Sequence, residues 1–373
     1  MRFTVDTQVL KTAVEVTSHA TVNSNLTPIL ENILIDVQYK KVILTGNNLE
    51  MAIEYIIDKD VDIESEGKFT ISSKFLSSFI ALVQSKTIKI ELEAGSSLKF
   101  TTDSGETRFK WVSAEKFPVI PHFHVDTPLT LEGKDLRNAI DKTLFSTAEW
   151  NIRPMLAGIF IKTSRDGAAF ASTDSFRLSE YRVYKENAAN LDTSIIIPEK
   201  TAMELGRIIN DNNSKVELYI HENQLLVVYE SIKLSSRLLS GRFPDYEGFF
   251  PKKHNTKWVV LRNELINAVK QVNLVARENN YNTRLRFNPE WKLEFSTGDT
   301  EVGASQIALN ASIEWQEGTI GMNSQYLLEV LSVIRDDYVS LDFETALSPI
   351  AIRGVPEKTE HAGYRHIIMP LKI

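Results

Sequence analysis

The chain contains no cysteine in its 373 residues. That excludes a disulfide framework and a thiolate zinc site, and it suits a reducing cytoplasm. No stretch approaches the roughly 18 consecutive apolar residues that cross a bilayer, and Met1-Arg2-Phe3-Thr4-Val5-Asp6 offers no apolar signal core. A cytoplasmic protein without membrane contact is expected, and the sequons at Asn25, Asn212 and Asn310 then have no bearing. Positive charge is also in short supply. The formal net charge is −7, which argues against a protein that coats nucleic acid but not against one that gathers its cations on a single surface. There is no phosphate loop and no Gly-x-Ser-x-Gly elbow. Asp58, Asp60 and Asp62 open like a calcium loop, but Ile63 stands where its turn needs glycine. His122 and His124 lack a third ligand. No catalytic residue, metal or cofactor is expected.

What the chain does have is a threefold repeat. Leu10 and Ala13 recur as Leu136 and Ala139, Pro28 as Pro154, Ile71 and Lys74 as Ile197 and Lys200, and Phe117-Pro118 as Phe243-Pro244, each at a stride of 126 residues. The third copy drifts: Leu265 and Ala268 lie 129 beyond the second, and Met322 lies 125 beyond Ile197. A period far above the 20 to 50 residues of solenoids is the length of a whole domain. Each unit opens with a short strand and an amphipathic helix, and then runs through strands, a second capped helix and more strands. Apolar positions Val9, Leu10, Ala13, Val14 and Leu136, Ala139, Ile140, Leu144 carry the helical spacing. Ser72-Ser73, Pro198-Glu199 and Asn323-Ser324 supply the second helix starts. The pattern reads as α+β, two helices on a largely antiparallel sheet, in domains 1–124, 125–252 and 253–373.

Five peptides sharpen this: Leu26-Thr27-Pro28-Ile29-Leu30-Glu31-Asn32, Leu44-Thr45-Gly46-Asn47-Asn48-Leu49-Glu50-Met51, Ser172-Thr173-Asp174-Ser175-Phe176-Arg177-Leu178, Gly241-Arg242-Phe243-Pro244-Asp245-Tyr246, and His366 through Ile373. In this order, inside a triple repeat of this length, they make the whole chain resemble the bacterial sliding clamps, the β subunits of DNA polymerase III. The resemblance implies two chains closed head to tail into a ring of six similar domains, with sheets outside and twelve helices lining a hole. Such a homodimer encircles duplex DNA without reading sequence. It tethers the replicative polymerase, the clamp loader and other proteins that carry an apolar clamp-binding motif, and it performs no chemistry itself.

The resemblance also implies three surfaces. The peptide pocket falls on Leu156, Thr173, Ser175, Phe176, Arg177, Leu178, Pro244, Phe249, Pro349, Ile367, Ile368, Met369, Pro370 and Leu371. The chain departs from the commoner family pattern at Ser175-Phe176, where glycine and histidine are frequent, and at Gly248, where a basic residue is frequent. DNA-facing candidates are Lys11, Asn25, Lys74, Arg137, Lys142, Trp150, Lys200, Arg207, Lys270 and Arg277. The loop Asn23-Ser24-Asn25 lacks the basic residue the family often has there. The helix segments hold 11 Lys or Arg against 8 Asp or Glu, a net +3, so the rest carries −10 of the total −7. The seam between chains falls on Thr107, Arg108, Phe109 and Trp111 from the first unit. Asn273, Leu274 and Glu301, with Arg277, face them from the third. Two other readings compete: a peptide-binding scaffold that forms no ring, and an enzyme with an interdomain cleft using Glu50 or Asp174 as an acid-base group.

Overall fold

A computed structural model describes residues 1–93, 97–121, 123, 127–150, 153–184, 193–210, 213–288, 292–314, 318–355 and 363–372. His122 and His124 lie outside the described residues. The first repeat runs β1 (Arg2–Asp6), α1 (Thr7–Ser18), β2 (Asn32–Gln38), β3 (Lys41–Asn47), β4 (Met51–Ile57), β5 (Val61–Ser65), β6 (Gly67–Ser72), α2 (Ser73–Leu82), β7 (Thr87–Glu93), β8 (Ser97–Thr102) and β9 (Gly105–Lys110). The second runs β10 (Leu129–Glu132), α3 (Gly133–Thr143), β11 (Gly158–Ser164), β12 (Gly167–Thr173), β13 (Arg177–Tyr184), β14 (Ser194–Pro198), α4 (Glu199–Ile208), β15 (Lys215–His221), β16 (Gln224–Tyr229) and β17 (Ile232–Arg237). The third runs β18 (Thr256–Leu261), α5 (Arg262–Ala276), β19 (Asn282–Asn288), β20 (Lys292–Ser296), β21 (Gln306–Asn310), β22 (Ser312–Glu314), β23 (Thr319–Asn323), α6 (Ser324–Val333), β24 (Tyr338–Phe343), β25 (Ile350–Val355) and β26 (Tyr364–Ile368). The 126-residue stride therefore carries α1 onto α3, β4 onto β13 and α2 onto α4, start for start.

Local chemistry explains the starts. The Asp6 carboxylate accepts from the amides of Gln8 and Val9 at 2.8 and 3.1 Å, capping α1, and Asn323 caps α6 through Gln325 and Tyr326. Leu10, Ala13, Val14 and Thr17 form the buried stripe of α1. They pack with Leu76 and Ile80 of α2 and with strand residues such as Phe3, Ile33, Ile35, Ile90 and Phe100 into one core. The third repeat builds an equivalent core around Trp258, Leu265, Val269, Phe295, Leu327 and Leu341.

Sheet membership crosses the repeats. All strand pairs among the described residues are antiparallel, but each repeat divides its strands between two sheets. An eight-stranded sheet runs β10-β15-β16-β17-β4-β3-β2-β6, and a nine-stranded sheet runs β14-β11-β12-β13-β26-β25-β24-β18-β22. Residues 1–136 with 204–238 form one compact unit, and 137–203 with 239–373 form another. Each unit holds one seam between repeats. The last strand of a repeat pairs with the fourth strand of the repeat before it: β17 with β4, through Leu234 opposite Ile53, and β26 with β13, through Ile367 opposite Leu178.

One close approach fixes a glycine. A Cβ built on Gly46 meets the Thr17 carbonyl oxygen at 2.0 Å, where β3 presses on the end of α1. At the equivalent place in the second repeat, the Ser172 hydroxyl donates to the Thr143 carbonyl instead. Gly46→Ala should lower unfolding stability by about 1–3 kcal/mol, the usual cost of forcing atoms into a packed site. Urea unfolding measures it, and an unchanged midpoint would mean α1 shifts without cost.

Candidate functional site

The turn between β12 and β13 is built by side chains that bond their own backbone. The Thr173 hydroxyl donates to the Arg177 carbonyl at 2.6 Å and accepts from the Ser175 amide at 3.0 Å. One oxygen of Asp174 accepts from the amides of Phe176 and Arg177 at 2.9 and 3.0 Å, and the other receives the Arg177 guanidinium at 3.0 Å. Ser175 is held at φ 82°, a strained conformation for any residue with a Cβ. Both carboxylate oxygens of Asp174 are thus engaged in shaping the turn, not in acid-base work.

The turn throws Phe176 outward, 58% exposed, while Arg177 turns in. The guanidinium pairs with Glu329 and lies 4.4 Å from the centre of the Tyr326 ring, both on α6. The carboxy-terminal tail is then pinned by two backbone bonds. The Met369 amide donates to the Phe176 carbonyl and the Leu371 amide to the Gly321 carbonyl, each at 2.8 Å. Below lies an apolar floor of Leu156, Ala171, Leu178, Phe243, Tyr246, Ala351 and Ile367. Pro244 and Phe249 stand exposed beside it, and Pro349, Met369, Pro370 and Leu371 are half-buried. The result is an apolar surface with free aromatic and aliphatic groups on a rigid backbone, suited to an extended peptide with apolar anchors.

Two polar groups sit within this seam. Glu180, fully buried, accepts from Arg182, from Arg365 across the β13–β26 pair, and from the Tyr246 hydroxyl at 2.9 Å. Burial alone would raise its carboxyl, but these donors hold it below the ordinary value. Burial, together with the Glu180 charge, pushes the Tyr246 hydroxyl up. On the helix side, His366 shares a hydrogen with Ser179 at 2.8 Å, and Ser179 with Ser146 at 2.8 Å. Burial, aided by the Arg177 charge, pushes the His366 imidazole down to about 3. Its folded value lies below the unfolded value of about 6.5, so its contribution is complete above that pH and fades as pH falls toward 3. Stability should drop by about 2 kcal/mol from this group between pH 6.5 and pH 5. Urea midpoints for His366→Asn should show a shallower acid slope; an identical slope would assign the loss elsewhere.

The comparisons with known proteins cover nearly the whole chain. Models of the DNA polymerase III beta subunit match as its N-terminal domain at residues 1–121, its central domain at 130–245 and its C-terminal domain at 248–372. The chain belongs to the DNA polymerase III beta subunit family. It is 27% identical to the beta sliding clamp of Staphylococcus aureus over 360 residues, 95% of either chain. It is equally similar to that of Bacillus subtilis over 367 residues, covering 96% of this chain and 97% of the relative. The crystal structure of the B. subtilis sliding clamp superposes with a TM-score of 0.92 at 26% identity, covering 100% of this chain and 99% of the other. The fold is thus three tandem clamp domains with helices on antiparallel sheets, in a family of non-catalytic processivity subunits.

Within that clamp fold, three expectations change. Ile368 is fully buried in the third-repeat core, because it lies on the helix-facing side of β26, so it supports the pocket without lining it. Asn273 is 9% exposed and spends its amide on Gln325 and Ser324 of its own chain, so it offers a seam nothing. Lys142 is half-buried over the rings of Tyr181 and Tyr364, 4.6 and 5.5 Å from their centres. Burial lowers its ammonium, so it is not an open cation.

The remaining clamp candidates lie at the surface to different degrees. Lys11, Asn25, Lys74, Lys200 and Lys270 are exposed, and Trp150 is 56% exposed. Arg137, Arg207 and Arg277 are paired with Asp141, Glu204 and Glu278 at 3.0, 3.4 and 3.4 Å. Thr107, Arg108 and Phe109 sit on the edge strand β9, with Trp111 just beyond it, and Leu274 is 65% exposed on α5. Glu301 is exposed in the turn before Gly303. Sequence pattern does not single out the other open edge, β21, although Ile307 and Leu309 alternate there with exposed neighbours. Glu180, Arg365 and Tyr246 are equally invisible before strand pairing brings them together.

Proposed function

We propose that this chain is a DNA sliding clamp: two copies close head to tail around duplex DNA and tether polymerases and other replication proteins through the pocket at Phe176, Pro244, Phe249, Met369 and Leu371. One observation carries the reading. Two part-sheets are left over, β5-β1-β7-β8-β9 and β21-β20-β19-β23, and each ends in an open edge at β9 and β21. Laid edge to edge they give nine strands in the same order of equivalent elements as the complete nine-stranded sheet, with β9 against β21 in place of β26 against β13. In this reading a partner chain supplies that junction. A contact of this head-to-tail kind closes when the rotation permits, and three repeats per chain make a ring of two chains. The unpaired edge of β9, with Thr107 and Phe109 directed inward, is an association surface.

Sliding then needs weak, sequence-independent phosphate contacts, for which exposed Lys11, Lys74 and Lys270 on helices serve better than the paired arginines. Tethering works by raising local concentration, so no catalysis is required. The domain cuts near residues 124 and 252 follow from the same scheme, as does a place in the cytoplasm. The test is primer extension on a primed circular template with a matched polymerase and loader. Long products should appear only when the chain is present, and an unchanged product length would overturn the reading.

A further inference from the structure

We infer that the seam between the first and second repeats carries a second docking site for an extended peptide, one that takes a single aliphatic side chain flanked by a carboxylate. The inference rests on the peptide reading of the other seam. The turn between β3 and β4 repeats three side-chain-to-amide bonds of the turn between β12 and β13. Asn47 accepts from the Leu49 amide at 2.8 Å, as Thr173 does from Ser175. Asn48 accepts from the amides of Glu50 and Met51 at 3.1 and 2.8 Å, as Asp174 does from Phe176 and Arg177. Leu49 and Ser175, separated by the 126-residue stride, are both left-handed, at φ 72° and 82°. A leucine has no reason of its own to adopt that conformation, and this one is 53% exposed.

The walls correspond in part. Pro118 and Phe123 stand, one stride earlier, where Pro244 and Phe249 stand in the other seam, and strand register puts Leu225 where Ile350 lies. Strand register places Ser236 opposite Met51 as Ile368 lies opposite Arg177, so Arg237 takes the place of Met369. Between these groups is a cavity of about 150 Å³, floored by Met51, Ala52, Ile120 and Leu225. The pocket is open on one side and edged by Glu50, Gln224 and Ser235, so its apolar floor has room for a single aliphatic side chain. The substitution of Arg237 for Met369 exchanges an apolar contact for an exposed cation, which selects a carboxylate beside the apolar anchor. With one anchor pocket instead of an extended apolar surface, affinity should be at least tenfold lower than at the other seam.

The experiment labels the methionine methyls with carbon-13 and titrates the intact protein with the acetylated, amidated peptide Ser-Leu-Asp-Leu-Phe. The Met369 methyl should shift and saturate first, with the Met51 methyl following at ten or more times the concentration. Met369→Ala with Leu371→Ala should leave the Met51 response in place, and Ser235→Trp, which fills the cavity, should abolish it while sparing Met369. If the Met51 methyl stays still at a hundredfold above the concentration that saturates Met369, the second site does not exist. If neither methyl moves, the peptide reading of both seams fails.

Discussion

Replacing Leu82 and Leu274 together by glutamate should convert the dimer to a single chain of 42.3 kDa. Leu82 ends α2 and is 81% exposed, and Leu274 on α5 is 65% exposed, so neither holds the core of its own repeat. Their relation follows from the seam inside the chain. There the first helix of one repeat meets the second helix of the next, where His19, at the end of α1, lies 2.6 Å from Glu204 of α4. Carried forward, α5 of one chain meets α2 of its partner. The groove beside β9, bounded by Phe79, Leu82 and Val83, is the space left for it. At each of the two junctions, two apolar contacts would be lost and two carboxylates buried unpaired, a change of about 3–5 kcal/mol per junction, or at least a hundredfold in dimer affinity. Sedimentation velocity at micromolar protein reads the mass, and an unchanged urea midpoint at a dilution where both proteins are single chains shows that each repeat still folds. A dimer of undiminished affinity would place the junction elsewhere.

Met369→Ala with Leu371→Ala should weaken binding of an apolar clamp-binding peptide about a hundredfold, because each truncation removes roughly 1–3 kcal/mol of apolar contact. The tail itself should stay in place. It is held by the backbone bonds from Met369 to Phe176 and from Leu371 to Gly321, which alanine preserves. Fluorescence anisotropy with a labelled peptide measures the loss, and sedimentation should show the dimer intact. Unchanged affinity would move the pocket away from the tail.

How much was readable before the fold was known differs by feature. Local signals were strong where chemistry is local: the Asn323 cap and the apolar stripe Leu10, Ala13 and Val14 act on their immediate neighbours. The stride of 126 residues revealed three copies because equivalent positions carry equivalent packing duties. Pairing between distant strands was not legible. The sharing of each repeat between two sheets depends on β17 meeting β4 and β26 meeting β13, and the buried Glu180–Arg365 pair on the second of these, across more than 180 residues. Ile368 shows the same limit at the scale of one side chain. Its neighbour Ile367 faces the pocket floor, and the alternation of the strand sends Ile368 to the opposite face. Likewise Lys142 reads as a helix-surface cation until Tyr181 and Tyr364, from two other strands, are placed beneath it.

The central claim is topological, and retention on DNA tests it most directly. Protein loaded onto nicked circular DNA should stay bound through a high-salt wash, then leave when a restriction enzyme linearises the circle. Equal retention on circular and linear DNA would show ordinary surface binding and contradict the ring.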